Sequence, residues 1–253
     1  MWEMMSAGLW GLVAGSALLL GAGIGYGTRV PGWLTASVMA FGAGVLLSAV
    51  AFELVGEAYR QSGLPPAVVG TLFGALAYTL GNLRLARRGA RHRKRSGHNA
   101  ARRQPSEAQQ AGSGTALALG ALLDGVPETA AIGVSVLDGG TVSTVTVVAV
   151  FLSNVPEGLS SAAGMRRAGR RASYVFGVWG GIAAVSALSA LLGYAVLGRF
   201  PDAVVAAATA VAAGAILAMV ADTMVPEAVD DARLAVGMIL VCGFLVSFAL
   251  SHS

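Results

Sequence analysis

Apolar runs of about 20 residues, each long enough to cross the hydrocarbon core of a bilayer, fill most of this 253-residue chain. Only 12% of its residues are charged and 55% are hydrophobic. A soluble domain is charged at about a quarter of its positions, so this chain cannot cover a water-facing surface of ordinary polarity. It reads as an all-α, polytopic membrane protein. Eight apolar segments can be marked, at roughly 6–27, 34–58, 64–83, 115–137, 141–164, 174–198, 203–228 and 232–251. The 35 glycines suit helices whose backbones approach closely. Cys242 is the single cysteine. It allows no disulfide and no thiolate metal site within the chain, and in its apolar run it reads as a packing residue. The first run follows Glu3 and has no basic residue before Arg29, so it reads as a retained helix rather than a signal peptide.

The basic residues orient the segments. Fifteen of the 17 Lys and Arg fall after segments one, three, five and seven: Arg29, nine between Arg84 and Arg103, the set Arg166, Arg167, Arg170 and Arg171, and Arg233. Only Arg60 and Arg199 fall on the other side. The positive-inside rule then places both termini outside the cytoplasm. Residues 1–253 read as a single transmembrane domain, with 84–114 a flexible basic cytoplasmic loop between helices three and four. That loop has no aromatic residue to stack on bases. Anionic lipid at the membrane surface is its expected neighbour, and nucleic acid is not an expected partner.

An internal repeat is visible. Ala43–Ala58 reads AGVLLSAVAFELVGEA and Ala213–Ala228 reads AGAILAMVADTMVPEA. At a constant offset of 170, Ala43, Gly44, Leu47, Val50, Ala51, Val55, Glu57 and Ala58 recur as Ala213, Gly214, Leu217, Val220, Ala221, Val225, Glu227 and Ala228. Segments two and seven would run in opposite directions, so the repeat is inverted and relates helices 1–3 to helices 6–8. Glu57 and Glu227 then belong near opposite faces.

Several acids lie inside apolar segments. Asp124 and Glu128 sit near the middle of segment four and Glu157 near the middle of segment five. A charge at such depth costs a few kcal/mol or more, so it faces an interior, a partner or an ion. Asp124 and Glu128 are four residues apart and share a helix face, as do Ser153 and Glu157. Each glutamate follows a proline, in Val126-Pro127-Glu128 and Val155-Pro156-Glu157. A helix-interior proline frees the carbonyl four residues earlier, here those of Leu123 and Leu152. Freed carbonyls at membrane depth are tolerated where they line a cavity or meet an ion. The donor set is Asp124, Glu128, Glu157, the Asn154 amide and the Ser153 hydroxyl. Three carboxylates without a basic residue beside them suit a divalent cation, with protons as the competing occupant. Glu53 and Asp222 lie at neighbouring positions of the repeat and read as gate acids. Met219 and Met224, flanking Asp222, read as packing residues.

Paired helices carrying x-Asn-x-Pro-Glu-Gly resemble the ZIP (Zrt-/Irt-like protein) metal transporters. Eight spans, outward termini and a long loop between helices three and four are similar to that family too. In it the first motif usually reads His-Asn-x-Pro-Glu-Gly, where this chain has Asp124-Gly125-Val126-Pro127-Glu128-Thr129; the second matches Ser153-Asn154-Val155-Pro156-Glu157-Gly158. The resemblance implies a transport site at Asp124, Glu128, Ser153, Asn154 and Glu157. It implies outer acids Glu53 and Glu57 that attract cations, and an acidic inner end at Asp222 and Glu227. It implies zinc, iron(II) or manganese as substrate, with no permanently bound cofactor. Segment six holds no acid where binuclear members have a glutamate, so one metal is expected rather than a bridged pair. His92 and His98 fall in the loop where family members often collect metal.

The expected function is a non-enzymatic permease of the cytoplasmic (inner) membrane that carries divalent metal ions into the cell. Its expected partners are membrane lipid, the metal ions and, as an option, a second copy in a homodimer. The alternatives are a proton-linked small-solute transporter and a non-transporting metal-sensing scaffold. An intramembrane hydrolase lacks support, because no histidine lies in the first seven segments. The charge asymmetry makes a direct prediction. In a Cys242→Ala background, single cysteines placed in the loop 96–112 should react only with membrane-permeant reagents on intact cells. Labelling by an impermeant reagent would reverse the orientation.

Overall fold

The computed structural model describes residues 2–87, 113–138, 142–231 and 235–252. It is all-helical over these residues. The helices are α1 (Trp2–Gly27), α2 (Gly32–Ser62), α3 (Leu64–Leu85), α4 (Ser113–Ser135), α5 (Thr144–Arg167), α6 (Ala172–Leu197), α7 and α8 (Val236–Ser251). Helix α7 runs through Asp202–Met219, Val220–Met224 and Val225–Asp231. Among the described residues, six helices are long and apolar enough to cross a membrane: α1, α2, α3, α5, α6 and the Asp202–Val229 stretch of α7. The 16 residues of α8 extend roughly 24 Å, less than the ~30 Å hydrocarbon core.

Small residues fill the interior and large apolar ones face outward. Ala14, Ala22, Ala43, Ala162, Ala190, Ala210 and Ala213 have no exposed surface, while Val69, Leu72, Phe73 and Met238 are each more than 60% exposed. An apolar mantle of this kind would be a large liability in water and is ordinary against lipid. Cys242 belongs to that outer surface: it is exposed on α8, which corrects its reading as an internal packing residue. Nearly every residue of α8 is apolar, so periodicity could not tell its inner face from its outer one.

The helices form two groups. Helix α1 packs along α5 and α6, and α6 also packs along α4; α2 pairs with α8 and α3 with α7. The group α1, α4, α5, α6 meets the group α2, α3, α7, α8 chiefly where α2 lies on α5 and α4 on α7. Within each group the seams are backbone to backbone. A Cβ at Gly44 would run into the carbonyl oxygen of Leu240, and one at Gly214 into that of Thr71. These two contacts are counterparts, because α2 and α7 are related by the offset of 170.

The offset governs more than the residues that revealed it. Trp2–Gly27 recurs as Ala172–Leu197, Gly32–Ala49 as Asp202–Met219, and a π-helical turn at Val50–Val55 as one at Val220–Met224. Gly8 and Gly15 of α1 face Leu191 and Ala183 of α6, so these two corresponding helices run antiparallel. A π turn carries one residue more than an α turn and is found mostly at functional sites. Here it interrupts both halves of the repeat at the same place. Helix α2 ends at Gly63, whose φ of 77° is a left-handed conformation that glycine adopts without a Cβ penalty. The Pro65-Pro66 pair then opens the first turn of α3, where a missing N–H costs nothing.

The glycine seams give a stability prediction. Gly44→Ala and Gly214→Ala should each cost about 1–3 kcal/mol through overpacking against backbone. Gly237→Ala, where an added Cβ meets nothing within 4 Å, should be neutral. Thermal melts of the three purified variants test this, and equal melting temperatures would exclude the tight seams.

Candidate metal pathway

A cavity of about 250 Å³ opens between the end of α2, the end of α4, the start of α5 and α7. Its polar lining is Glu53, Glu57, Arg60, Ser135, Ser143 and Thr146, with Thr209 of α7 beside them. Arg60 lies one helical turn beyond Glu57 and pairs with it: its Nε donates to Glu57 Oε2 at 2.9 Å. Gln61 Nε2 donates to Glu57 Oε1 at 2.9 Å. Arg60 therefore offsets much of the Glu57 charge. Glu53 accepts a longer bond, 3.4 Å, from the Ser143 hydroxyl. Of these two acids, Glu53 is the one whose charge the cavity is better placed to offer a cation.

From this cavity a buried polar stripe descends one face of α5. Thr146, Ser153, Glu157, Ser160 and Ser161 are all at most 4% exposed. Their spacings of seven, four, three and one residues keep them within one broad helix face. The stripe runs toward Arg166 and Arg167 in the last turn of α5. It follows that a polar line joins the cavity to the basic end of the bundle inside an otherwise apolar core.

The central acids are fully inside. Asp124 and Glu128 are 1% exposed and Glu157 is 4% exposed. The prolines lie within helices as the sequence indicates, Pro127 in α4 and Pro156 in α5. Leu123 and Leu152, whose carbonyls those prolines free, both pack against one core cluster built from α2 and α7. The interrupted turns of α4 and α5 thus meet the same wall. Helix α2 approaches at Gly42, where a Cβ would stand 3.2 Å from Ser153 Cα and 3.6 Å from Met224 Cε. Met219 and Met224 are buried in this cluster, as packing residues.

The five proposed donors are oriented differently. Asn154 Nδ2 donates to the Ala14 carbonyl of α1 at 2.9 Å, which pins the side chain. Its Oδ1 is buried and has no hydrogen-bond partner among the described residues. The Ser153 hydroxyl donates to the Val150 carbonyl at 2.9 Å, leaving lone pairs as its remaining capacity. Asp124 Oδ1 accepts from the Tyr78 hydroxyl of α3 at 2.6 Å. Among the described residues no three His, Cys, Asp or Glu side chains stand together as a metal-holding group. A cation there would take one or two carboxylates at a time. Amide, hydroxyl, carbonyl and water oxygens would complete its shell.

The second half of the repeat supplies the far end. Thr209 of α7 lines the cavity, and Glu227 lies roughly 27 Å further along that helix at about 1.5 Å per residue. Glu57 and Glu227 accordingly sit at opposite ends of the bundle. Asp222 is exposed within the π turn; its counterpart at the 170 offset is Phe52, also exposed, and Glu53 corresponds to Thr223, which is buried. Val225 follows the π turn directly, and Val225-Pro226-Glu227 is a third Val-Pro-Glu inside a helix. His92, His98 and most of the basic loop lie outside the described residues.

Sequence reasoning missed Tyr78 and the hydroxyl lining of the cavity. Thr146 was legible as the residue seven before Ser153 on the same face. Tyr78 carried no signal, because an aromatic residue in an apolar segment reads as core. No protein-family model matches this chain, and no curated protein matches it.

The Glu57–Arg60 pair is partly solvent-exposed, and such pairs contribute under about 1 kcal/mol. Arg60→Gln should therefore leave the melting temperature within a few degrees of the parent. A large loss of stability on that substitution would show that the pair braces the fold rather than the cavity charge.

Proposed function

We propose that this protein is a ZIP-like transporter that carries divalent metal ions, zinc, iron(II) or manganese, across the cytoplasmic membrane into the cell. The observation that carries the reading is the buried stripe on α5. It leads from an acid-lined cavity past Ser153 and Glu157 toward the basic end, beside the proline-interrupted turn of α4 that bears Asp124 and Glu128. Carboxylates without Lys or Arg in the same stretch of helix favour a cation over an anion. An all-oxygen donor set accommodates hard and borderline divalent ions.

In this reading α4 and α8 span the membrane with the other six helices, in an inverted repeat with both termini outside. Helix α8 is short for a full span, so the bilayer would thin locally or its flanking residues would complete the crossing. Glu53 draws ions into the outer cavity, Glu128 and Glu157 take them at mid-depth, and Asp222 and Glu227 release them inward. The two-group packing supports alternating access in which α1, α4, α5 and α6 move against α2, α3, α7 and α8. The metal is the substrate and leaves with each cycle.

Uptake into proteoliposomes across zinc, iron(II) and manganese tests the reading. Glu128→Gln and Glu157→Gln should each lower uptake by about tenfold or more at equal insertion, the usual scale for losing a group that supports a metal site. Imidazole favours late transition metals over harder ions, so Asp124→His should shift the ranking toward zinc, and the shift should fade below about pH 6 as imidazole protonates. Parental uptake in both glutamine variants would sink the assignment.

A further inference from the structure

The apolar contacts between the two helix groups can slide past one another with little loss of register. A short hydrogen bond cannot. Ser143 to Glu53 crosses the group boundary at 3.4 Å beside an open cavity. Tyr78 to Asp124 crosses it at 2.6 Å between side chains that are 2% and 1% exposed. A phenol donating to a carboxyl oxygen at this distance is a short hydrogen bond, and a low-dielectric interior strengthens it. One turn further along α3, an added Cβ at Gly81 would lie 3.2 Å from Leu123 Cδ2. This seam between α3 and α4 is therefore close enough for the bond to fix its register.

We propose that Tyr78 is a positioning residue for Asp124, and that their hydrogen bond is a latch between the two helix groups. It holds one oxygen of the Asp124 carboxylate toward α3, at the boundary between the two groups. A cation that draws on the Asp124 charge weakens the carboxylate as an acceptor, so ion arrival loosens the latch. Displacing α4 along α3 by one helical turn, about 5.4 Å, breaks it outright. Loading of the pathway and release of the groups are thereby coupled through the Tyr78–Asp124 contact. This inference rests on the transporter reading for its purpose, but the latch itself can be measured without any metal.

The test uses the full chain with Cys242→Ala and one reporter cysteine at a time. Val142→Cys reports on the outer cavity that Val142 lines, and Ser161→Cys on the far end of the α5 stripe. Thiol modification rates are measured in metal-free buffer with and without Tyr78→Phe, which keeps the ring and removes the hydroxyl. Releasing a latch should slow one reporter and speed the other, changing the ratio of rates by about tenfold, the scale of one hydrogen bond to a charged group. A structural role alone would speed both reporters together or lower the melting temperature with the ratio fixed, and either result overturns the proposal. If Tyr78→Phe does not fold, Asp124→Asn keeps an acceptor oxygen while removing the charge. It should move the ratio in the same direction by less, and an unchanged ratio overturns the proposal equally. Absence of metal uptake in the parent would defeat the transporter reading while leaving the reciprocal labelling, and hence the latch, intact.

Discussion

Contact between helix backbones is the constraint on which the rest of this structure depends. At Gly44 against Leu240 and Gly214 against Thr71 there is no room for a Cβ. In lipid, helices gain nothing from burying apolar side chains against one another that they would not gain against the acyl tails. Association must come from close packing, and small residues are what permit it. The alanine- and glycine-rich composition therefore sets which helices can bind tightly. The tight seams fall inside the groups α1, α4, α5, α6 and α2, α3, α7, α8, and the acids that need an interior fall at or near the boundary between them.

That boundary differs in chemistry from the seams. It carries Tyr78 on Asp124, the approach of Gly42 to Ser153 and the rim contact of Ser143 with Glu53. Carboxylates buried in an apolar bundle cost several kcal/mol unless an ion, a proton or a hydrogen-bond donor offsets the charge. They fall where two tightly packed helix groups meet, so the polar surface lies between the seams rather than within them. Prolines 127 and 156 add freed carbonyls at the same level, and the π turns in α2 and α7 add further irregular backbone on the facing wall.

The repeat explains why the irregularities come in pairs. Helix boundaries, a π turn and a glycine contact all recur at the 170 offset. The two copies have since diverged in their side chains. Phe52 meets Phe248 edge to face at 5.1 Å between centroids, whereas Asp222 stands at the corresponding place in α7. Glu57 is paired with Arg60, which gives its end of the bundle a compensated acid. The same scaffold thus presents different charge at its two ends.

Much of this was legible in the sequence, for definite reasons. Helix placement followed from apolar run length, because lipid allows a backbone no other partner than itself. The repeat followed from residue identity, and the burial of Asp124, Glu128 and Glu157 from their position in those runs. What the sequence could not determine was which helices touch. Hydropathy is nearly uniform around α1, α2 and α8, so no periodicity marks an inner face, and Cys242 was misplaced for that reason. The grouping of helices and the partnership of Tyr78 with Asp124 were decided by tertiary packing. Spacing along a helix fixes which residues share a face, but only the close approach of small residues between helices fixes what that face meets.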